Sequence, residues 1–238
     1  MFFITGGNDT SADDVTTLTD ARKNDRINSL VTAPGSKSLP LQIAARAAAR
    51  IATVANENPP HDYSRQSLSG ILPGTDAEQW DYLTRNEAVS KGASTVEYKD
   101  GLVNLSDTVT FYHPDGEEPP AYRYVVDIVK LQNVIFNLDL IFNSEEWDGA
   151  PLIPDDQPTV NPAAKQPKAA VAAVNSLIDF LALEAIVSDP KTAKANTIAE
   201  IDSQNPKRLN VQLTLQLSGN VNIISVDFLF GFYFGPIS

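Results

Sequence analysis

Residues 208–234 constrain the fold more than any other stretch, because apolar and polar side chains alternate there in two runs. A period of two is typical of a β-strand with one buried and one solvent-facing side. The first run ends before Gly219-Asn220, and the second is rich in phenylalanine. Their apolar residues are Leu209, Val211, Leu213, Leu215 and Leu217 in the first run, and Ile224, Val226, Phe228, Phe230, Phe232 and Phe234 in the second.

The link between the two runs sets their register. A two-residue turn at Gly219-Asn220 pairs Leu215 with Ile224 and Leu213 with Val226, so apolar residues face apolar residues. A three-residue loop would place apolar residues opposite polar ones. Since Gly-Asn also suits a type I′ or II′ turn, we predict a hairpin with the two-residue turn.

In this register the last strand extends beyond its hairpin partner. Phe232 faces Lys207 and Phe234 faces Asn205, while Pro206 between them cannot donate a ladder hydrogen bond. An uncharged strand edge attracts another strand. Its cover is either another strand of this chain or a strand of a neighbouring subunit, and no other segment of the sequence is an obvious internal partner.

Composition limits the classes of partner. The 238 residues suit one large domain or two modest ones. A net charge of −12 and a pI of about 4.5 argue against nucleic acid or an anionic membrane as the main partner. The absence of cysteine excludes disulfides and thiolate metal sites. With no apolar run long enough for a membrane span and no signal peptide, we expect a soluble protein made in a cytoplasm.

Helical and strand patterns are mixed along the chain, which predicts an α+β fold. The Ala-rich helix carries Leu41 on its apolar face, and the helix before residue 143 is apolar over so wide an arc that we expect burial on more than one side. Strands are predicted over 1–4, 27–31, 109–113 and 197–201, a hairpin turning at Asp100-Gly101, and helices within 11–26 and over 39–57, 75–86, 122–143 and 168–187.

Few residues point to catalysis. His61 and His113 have no matched ligand nearby in the sequence, and no metal role is expected. Gly35-Ser36-Lys37-Ser38 lacks the upstream glycine of a phosphate loop, so we interpret it as a helix start capped by Ser38. No nucleophile elbow occurs. We predict no catalytic residue, no metal and no cofactor.

Six short stretches occur in an order that resembles contractile-tail sheath proteins of the Mu-like bacteriophage type. The resemblance covers nearly the whole chain and corresponds to the C-terminal half of that family, whose members are commonly about twice as long. The stretches are FITGGND at 3–9, LTRNE at 83–87, KGASTVEYKDG at 91–101, TVTFY at 108–112, AEID at 199–202 and NPKRL at 205–209.

The resemblance implies a fold and a role. Residues 1–86 would form part of the middle α/β domain, which is subtilisin-like in sheaths. Residues 87–238 would form the α+β C-terminal sheath domain, with two β-hairpins and long helices. Such a subunit polymerises in stacked rings around the inner tail tube and contracts to drive the tube through the host envelope.

The implied partners are further copies of the chain in a helical array, the tube protein, the baseplate and the tail terminator. Neither nucleic acid nor membrane insertion is expected. The implied location is the virion, after assembly in the host cytoplasm.

The resemblance also implies two sets of site residues and favours a neighbour's strand as the cover of the overhang. Inter-subunit β-augmentation is expected at Val221, Ile224, Val226, Phe228, Phe230, Phe232 and Phe234. Tube contacts are expected among Lys168, Lys191, Lys194, Lys207 and Arg208.

Two other functions remain open from the sequence. One is a baseplate or other tail assembly module that does not contract. The other is a hydrolase with a subtilisin-like fold. The sequence argues against it, because it has no Ser-His-Asp order with local signatures.

Overall fold

The computed structural model describes residues 3–115, 122–221 and Ser225. Six helices and six strands lie within these residues. The strands are β1 (Phe3–Gly7), β2 (Asn28–Thr32), β3 (Ala93–Lys99), β4 (Leu102–Leu105), β5 (Ile198–Ile201) and β6 (Leu209–Gln212). The helices are α1 (Ala12–Asp20), α2 (Pro40–Glu57), α3 (Tyr82–Ser90), α4 (Val125–Phe142), α5 (Pro167–Leu183) and α6 (Pro190–Ala195).

Local sequence signals account for several helix starts. The side chain of Ser11 accepts a hydrogen bond from the amide of Asp14 and caps α1, as the sequence predicts. Proline stands in the first turn of α2, α5 and α6, where its missing N–H costs no helical hydrogen bond. The predicted cap of α2 is wrong, because Leu39 is its N-cap and Ser38 accepts from the amide of Leu72 instead.

The first four strands form one sheet in the order β1-β2-β3-β4. The pairs β1–β2 and β2–β3 are parallel, whereas β3 and β4 form an antiparallel hairpin around Asp100-Gly101. Val96 pairs with Leu105 and Tyr98 with Val103, which confirms the register predicted from the turn and the alternation.

Helices cover both faces of this sheet. Val31 contributes to a core with Ile43 and Ile51 of α2, whereas its neighbour Leu30 packs with Val15 of α1 on the opposite face. Successive residues of a strand point to opposite faces, so both faces of β2 are buried, as is usual for parallel sheets.

A second core forms around α5. Leu177 and Leu181 of α5 pack with Val134 of α4, and β5 and β6 form a separate antiparallel pair. The first turn of α4, with Val125 and Val126, belongs instead to the core of the four-stranded sheet. Helix α4 therefore connects the two cores.

The mixture of helices and strands confirms the α+β prediction, and the first predicted hairpin is present. The division predicted at residue 86 falls within one layer of the structure, because β2 before it and β3 after it are hydrogen-bonded neighbours. Residues 3–7 and 28–32 thus share a sheet with residues 93–105.

Two helix predictions are wrong in their details. Helix α3 begins at Tyr82, not after Thr75, because the amide and hydroxyl of Thr75 both donate to Glu78 and hold a local turn. Leu41 is 78% exposed and does not join the buried face of α2. The short helix α6 was not predicted from the sequence.

The strand predicted over 109–113 is wrong. Val109 makes a single bridge to Tyr124, and the amides of Phe111 and His113 donate to the carbonyls of Asn28 and Lys23. These bonds go to different elements, so no continuous ladder forms.

Candidate functional site

The candidate site is the region around residues 213–221, where the described part of the C-terminal segment packs against the rest of the fold. The predicted alternation continues through residue 217, although the ladder between β5 and β6 ends at Gln212. Leu213 and Leu215 pack against α5 around Val174 and Ile178. The leucines therefore hold this segment against the second core without a continuing strand.

The end of α5 fixes the path of the same segment. Ala185 has a left-handed φ of 55°, and the amide of Ile186 donates to the carbonyl of Leu181 at 2.8 Å. This geometry is a Schellman C-cap. Val187 then forms an antiparallel bridge with Leu217, so the turn after α5 holds the chain up to residue 217.

A buried lysine holds the residues that follow. Lys130 of α4 is fully buried. Its ammonium donates to the carbonyl of Ser218 at 2.6 Å and to Oδ1 of Asn220 at 2.7 Å. A third bond, of 3.2 Å, goes to Oδ1 of Asp127. The three N–H donors of the ammonium are thus matched by three acceptors.

Asn220 connects this lysine to the other side of the molecule. Its Nδ2 donates to the carbonyl of Pro60 at 2.7 Å, while its Oδ1 accepts from Lys130. The two bonds together assign the orientation of the amide. Pro60 follows α2, so Asn220 joins the C-terminal segment to the layer that covers the four-stranded sheet.

An open cleft of about 1270 Å³ lies beside the anchored residues. Its lining includes Arg85, Arg123 and Glu184 as well as Ser218–Val221. Arg123 donates to the carbonyl of Val89 at 2.8 Å, which fixes one polar wall. Ser218–Val221 therefore form part of the wall of a polar cleft.

A smaller cavity of about 190 Å³ adjoins Gly219 and Asn220. Three carboxylates line it, those of Asp62, Asp107 and Asp127. Burial raises the pKa of Asp107, and the nearby charge of Asp62 acts in the same direction. The described part of the chain contains no group of three or more His, Asp or Glu side chains placed to hold a metal ion.

The residues predicted for strand exchange begin at this exit. Val221 lies in the lining of the cleft and is 78% exposed. The remaining predicted residues lie outside the described part of the chain: Ile224, Val226, Phe228, Phe230, Phe232 and Phe234.

The tight turn predicted at Gly219-Asn220 is wrong. Neither residue has the left-handed φ that a type I′ turn requires at both positions and a type II′ turn requires at the first. Instead, Asn220 bonds to Lys130 and Pro60, and these contacts determine the backbone path. The pairing predicted for the second run involves residues outside the described part of the chain.

The predicted tube-contact cations lie at three places in the C-terminal part. Lys194 of α6 forms an ion pair with Asp179. The exposed side chain of Arg208 lies 3.9 Å from the carboxylate of Asp202. Lys191 lies in the first turn of α6, and Lys207 is exposed in the turn between β5 and β6. Lys168 lies in the first turn of α5, with its ammonium 3.1 Å from the carbonyl of Asp155.

Both histidines contact the surrounding fold. The Nε2 atom of His113 lies 2.7 Å from Oδ1 of Asp20, and its Nδ1 lies 2.6 Å from the carbonyl of Phe111. His61 contacts the carbonyl of Asp62 through Nδ1. His113 thus joins α1 to the segment after β4.

One side of α4 is exposed, which corrects the expectation of burial around a wide arc. Ile135, Phe136 and Leu140 are 55%, 60% and 56% exposed. We call these three residues the α4 stripe. Several large apolar side chains exposed together on one helix often mark a binding surface. Over the described residues no helix is long and apolar enough to cross a membrane.

Lys130 is not among the residues predicted from the sequence, although the sequence contains a signal for it. Lys130 stands four residues after Val126 and four before Val134, in the middle of the buried stripe of α4. A lysine at such a position needs buried acceptors. Its partners Ser218 and Asn220, however, lie 88 and 90 residues away in the sequence.

Comparison with solved structures identifies the fold. One similar chain belongs to the 6-fold symmetrised cryo-EM structure of the anti-feeding prophage baseplate, with a TM-score of 0.65 and 13% identity over 97% of this chain and 60% of that one. Another is the crystal structure of the sheath tail protein from Desulfitobacterium hafniense, with a TM-score of 0.52 and 10% identity over 89% and 56%. This chain has a sheath-like fold. It spans about 60% of the length of these neighbours.

Sequence comparison gives no such likeness. No protein-family model matches the sequence, and a search of curated proteins finds no match.

Proposed function

We propose that this chain is a structural subunit of a contractile tail sheath, which polymerises around an inner tube and contracts to drive it through a host envelope. The observation that carries this proposal is the likeness in fold to a sheath tail protein over 89% of the chain. The order of sequence motifs supports the same family, including its Mu-like type and a subtilisin-like first domain.

The proposal includes a structural role without catalysis. It also includes partners: other copies of the chain, a tube protein, a baseplate and a tail terminator, all within a virion. A hydrolase with a subtilisin-like fold has less support, because the sequence has no nucleophile elbow and no ordered Ser-His-Asp set.

The exit region supports assembly through the C-terminal segment. Residues 216–220 are held against the end of α5, α4 and Pro60, and the chain reaches the cleft at the exposed Val221. The segment that follows carries the phenylalanine-rich run. A strand with such a run, as the sequence predicts for this segment, would be suited to add to the sheet of a neighbouring copy.

A specific observation favours a second function, that of a baseplate module. The likeness with the higher TM-score, 0.65 against 0.52, is to a chain of a baseplate structure. A module of this kind would form a single ring and would not contract.

Negative-stain electron microscopy of the full chain, alone and with the tube protein of the same tail, tests both functions. We expect helical arrays of stacked rings in the presence of the tube. Single rings that never stack would support the baseplate module. A monomer under both conditions would contradict both assembly functions.

Deletion of residues 231–238 tests the role of the C-terminal segment. We expect assembly to be lost while the isolated chain keeps its circular dichroism spectrum and its melting temperature. A full-length variant with Phe232→Ser and Phe234→Ser serves as the matched control, because it removes the aromatic side chains without shortening the chain. Unfolding of the monomer in both variants would show that the segment is covered within its own chain.

A further inference from the structure

Residues 213–220 are held in place by contacts of different kinds. From residue 213 to 217 the contacts are leucine packing and backbone bonds, which many apolar side chains provide equally well. At Ser218 and Asn220 a buried ammonium, that of Lys130, is added to the bonds of Ser218 to Ala185 and Ile186 and of Asn220 to Pro60. The change of chemistry occurs at the last residues before the cleft.

Burying an ammonium is unfavourable unless every donor is matched, and an apolar side chain of similar volume often stabilises a core equally well. Lys130 meets that condition through Asp127, Ser218 and Asn220. What an apolar residue could not provide is direction, because hydrogen bonds select one position of the bound carbonyl and amide. The lysine is therefore suited to define the path of residues 218–220.

The bond from Asn220 to Pro60 extends this constraint to a second element. Lys130 belongs to the helix that connects the two cores, and Pro60 follows α2 of the sheet layer. Asn220 bonds to both, so the position of residues 218–220 is fixed relative to both cores. We call Lys130, Asn220 and Pro60 the exit clamp.

We propose that the exit clamp sets the direction in which the C-terminal segment leaves the subunit and thereby the geometry with which copies join, so that Lys130 is a positioning residue for assembly. This inference rests on the proposed function. In a helical array each subunit contact is repeated, so a small change of direction at the exit accumulates from one copy to the next.

Two substitutions remove the exit clamp from opposite sides. Lys130→Met keeps an unbranched apolar side chain in the core, and Asn220→Ala removes one of the three acceptors of Lys130 together with the bond to Pro60. Lys99→Met, at the exposed end of β3, is the matched control for loss of a lysine. Asn196→Ala, exposed after α6, is the control for loss of an asparagine.

Hydrogen exchange of the isolated full chain measures the exit clamp directly. We expect the amide of Ser218, which donates to the carbonyl of Ile186, to exchange about tenfold faster in Asn220→Ala, with the amides of the four-stranded sheet unchanged, because the bonds that hold the neighbouring Asn220 are lost. The two control variants should match the wild type. Unchanged exchange at Ser218 in Asn220→Ala would overturn the inference, whether or not the chain assembles.

Electron microscopy then tests the effect on assembly. We expect Asn220→Ala and Lys130→Met to remain folded but to give short, irregular arrays or none, whereas the control variants give arrays of wild-type symmetry. Arrays of wild-type symmetry from Asn220→Ala would overturn the positioning role. If Lys130→Met fails to fold, Asn220→Ala decides the outcome. A wild-type chain that never assembles would instead contradict the proposed function, and the exchange experiment would still test the exit clamp.

Discussion

Ala185 lies directly after the C-cap of α5 and has the left-handed conformation, with a φ of 55°. The Cβ atom of an alanine makes this conformation unfavourable, which is why glycine usually occupies the equivalent position of a Schellman C-cap. The hydrogen bond from Ile186 to Leu181 and the packing of these two side chains keep the turn in place. The left-handed Ala185 therefore lowers the stability of the fold, but it forms the turn that places Val187 beside residue 217.

We predict that Ala185→Gly stabilises the protein by about 0.5–1 kcal/mol, because it relieves the strain at this position. A chain of this length should then melt about 1–4 °C higher. Ala172→Gly, at an exposed interior position of the same helix, is the matched control and should cost about 1 kcal/mol. Thermal and urea unfolding of both variants measure the difference. The same sign of change in both variants would contradict the prediction.

The half-buried carboxylate of Asp107 gives a prediction for pH dependence. Burial raises its pKa in the folded state above the value of an unfolded chain, so the folded state binds the proton more tightly. Near neutral pH the ionised group therefore costs stability, and that cost disappears as the pH falls through the folded pKa.

Asp107→Asn should accordingly raise the melting temperature near neutral pH, since the amide carries no charge. The gain should shrink as the pH approaches about 4, the unfolded value of an aspartate. Melting curves of both proteins over this range measure the effect, with Asp76→Asn on the exposed surface as the control. A gain that does not depend on pH would show that the charge of Asp107 is not its cause.

At the scale of elements, α4 has two different surfaces. The side with Val126, Lys130 and Val134 is buried, whereas the α4 stripe is more than half exposed. A helix with apolar residues around most of its circumference is usually covered on several sides. In the proposed function a neighbouring subunit covers the exposed side.

We predict that Phe136→Ser weakens assembly without unfolding the subunit. Because the side chain of Phe136 is 60% exposed, its loss should change the free energy of unfolding by no more than about 0.5 kcal/mol. Sedimentation of assembled material and urea unfolding of the monomer measure the two effects. Val134→Ser on the buried side is the comparison and should destabilise the monomer by about 2–4 kcal/mol. Assembly of Phe136→Ser at the wild-type level would exclude the α4 stripe from the interface.

The charge of the whole molecule bears on how it associates. Each chain carries a net charge of −12, so copies repel one another at low ionic strength. Salt screens this repulsion and so favours association between copies. The same screening weakens the attraction to a partner of opposite charge. The two kinds of contact therefore respond to salt in opposite directions.

Raising the salt concentration from ~10 mM to ~0.3 M should promote contacts between copies of this chain, since the screening length falls from about 30 Å to below 10 Å. Contacts through Lys191 or Lys207 to an acidic partner should weaken over the same range. Analytical ultracentrifugation of the chain alone and with the tube protein measures both. Self-association that decreases with salt would show that attraction between charged groups dominates the contacts between copies.

The sequence alone determined the features that depend on residues close together in the chain. Asp100-Gly101 and the flanking alternation specify the register of β3 and β4, and Ser11 specifies the start of α1. A turn type and a cap each involve only a few consecutive residues, so both can be predicted without knowledge of the rest of the fold. The order of short stretches likewise indicated a sheath-like fold.

Only the tertiary structure decided the contacts between distant segments. The strand that begins at Leu209 pairs with β5, and the turn expected at Gly219-Asn220 is replaced by the bonds of Asn220 to Lys130 and Pro60. An alternating pattern specifies which side of a strand is buried, but it does not specify which edge finds a partner. The exit clamp joins residues 60, 130 and 220, and their proximity arises only when both cores have formed around α4.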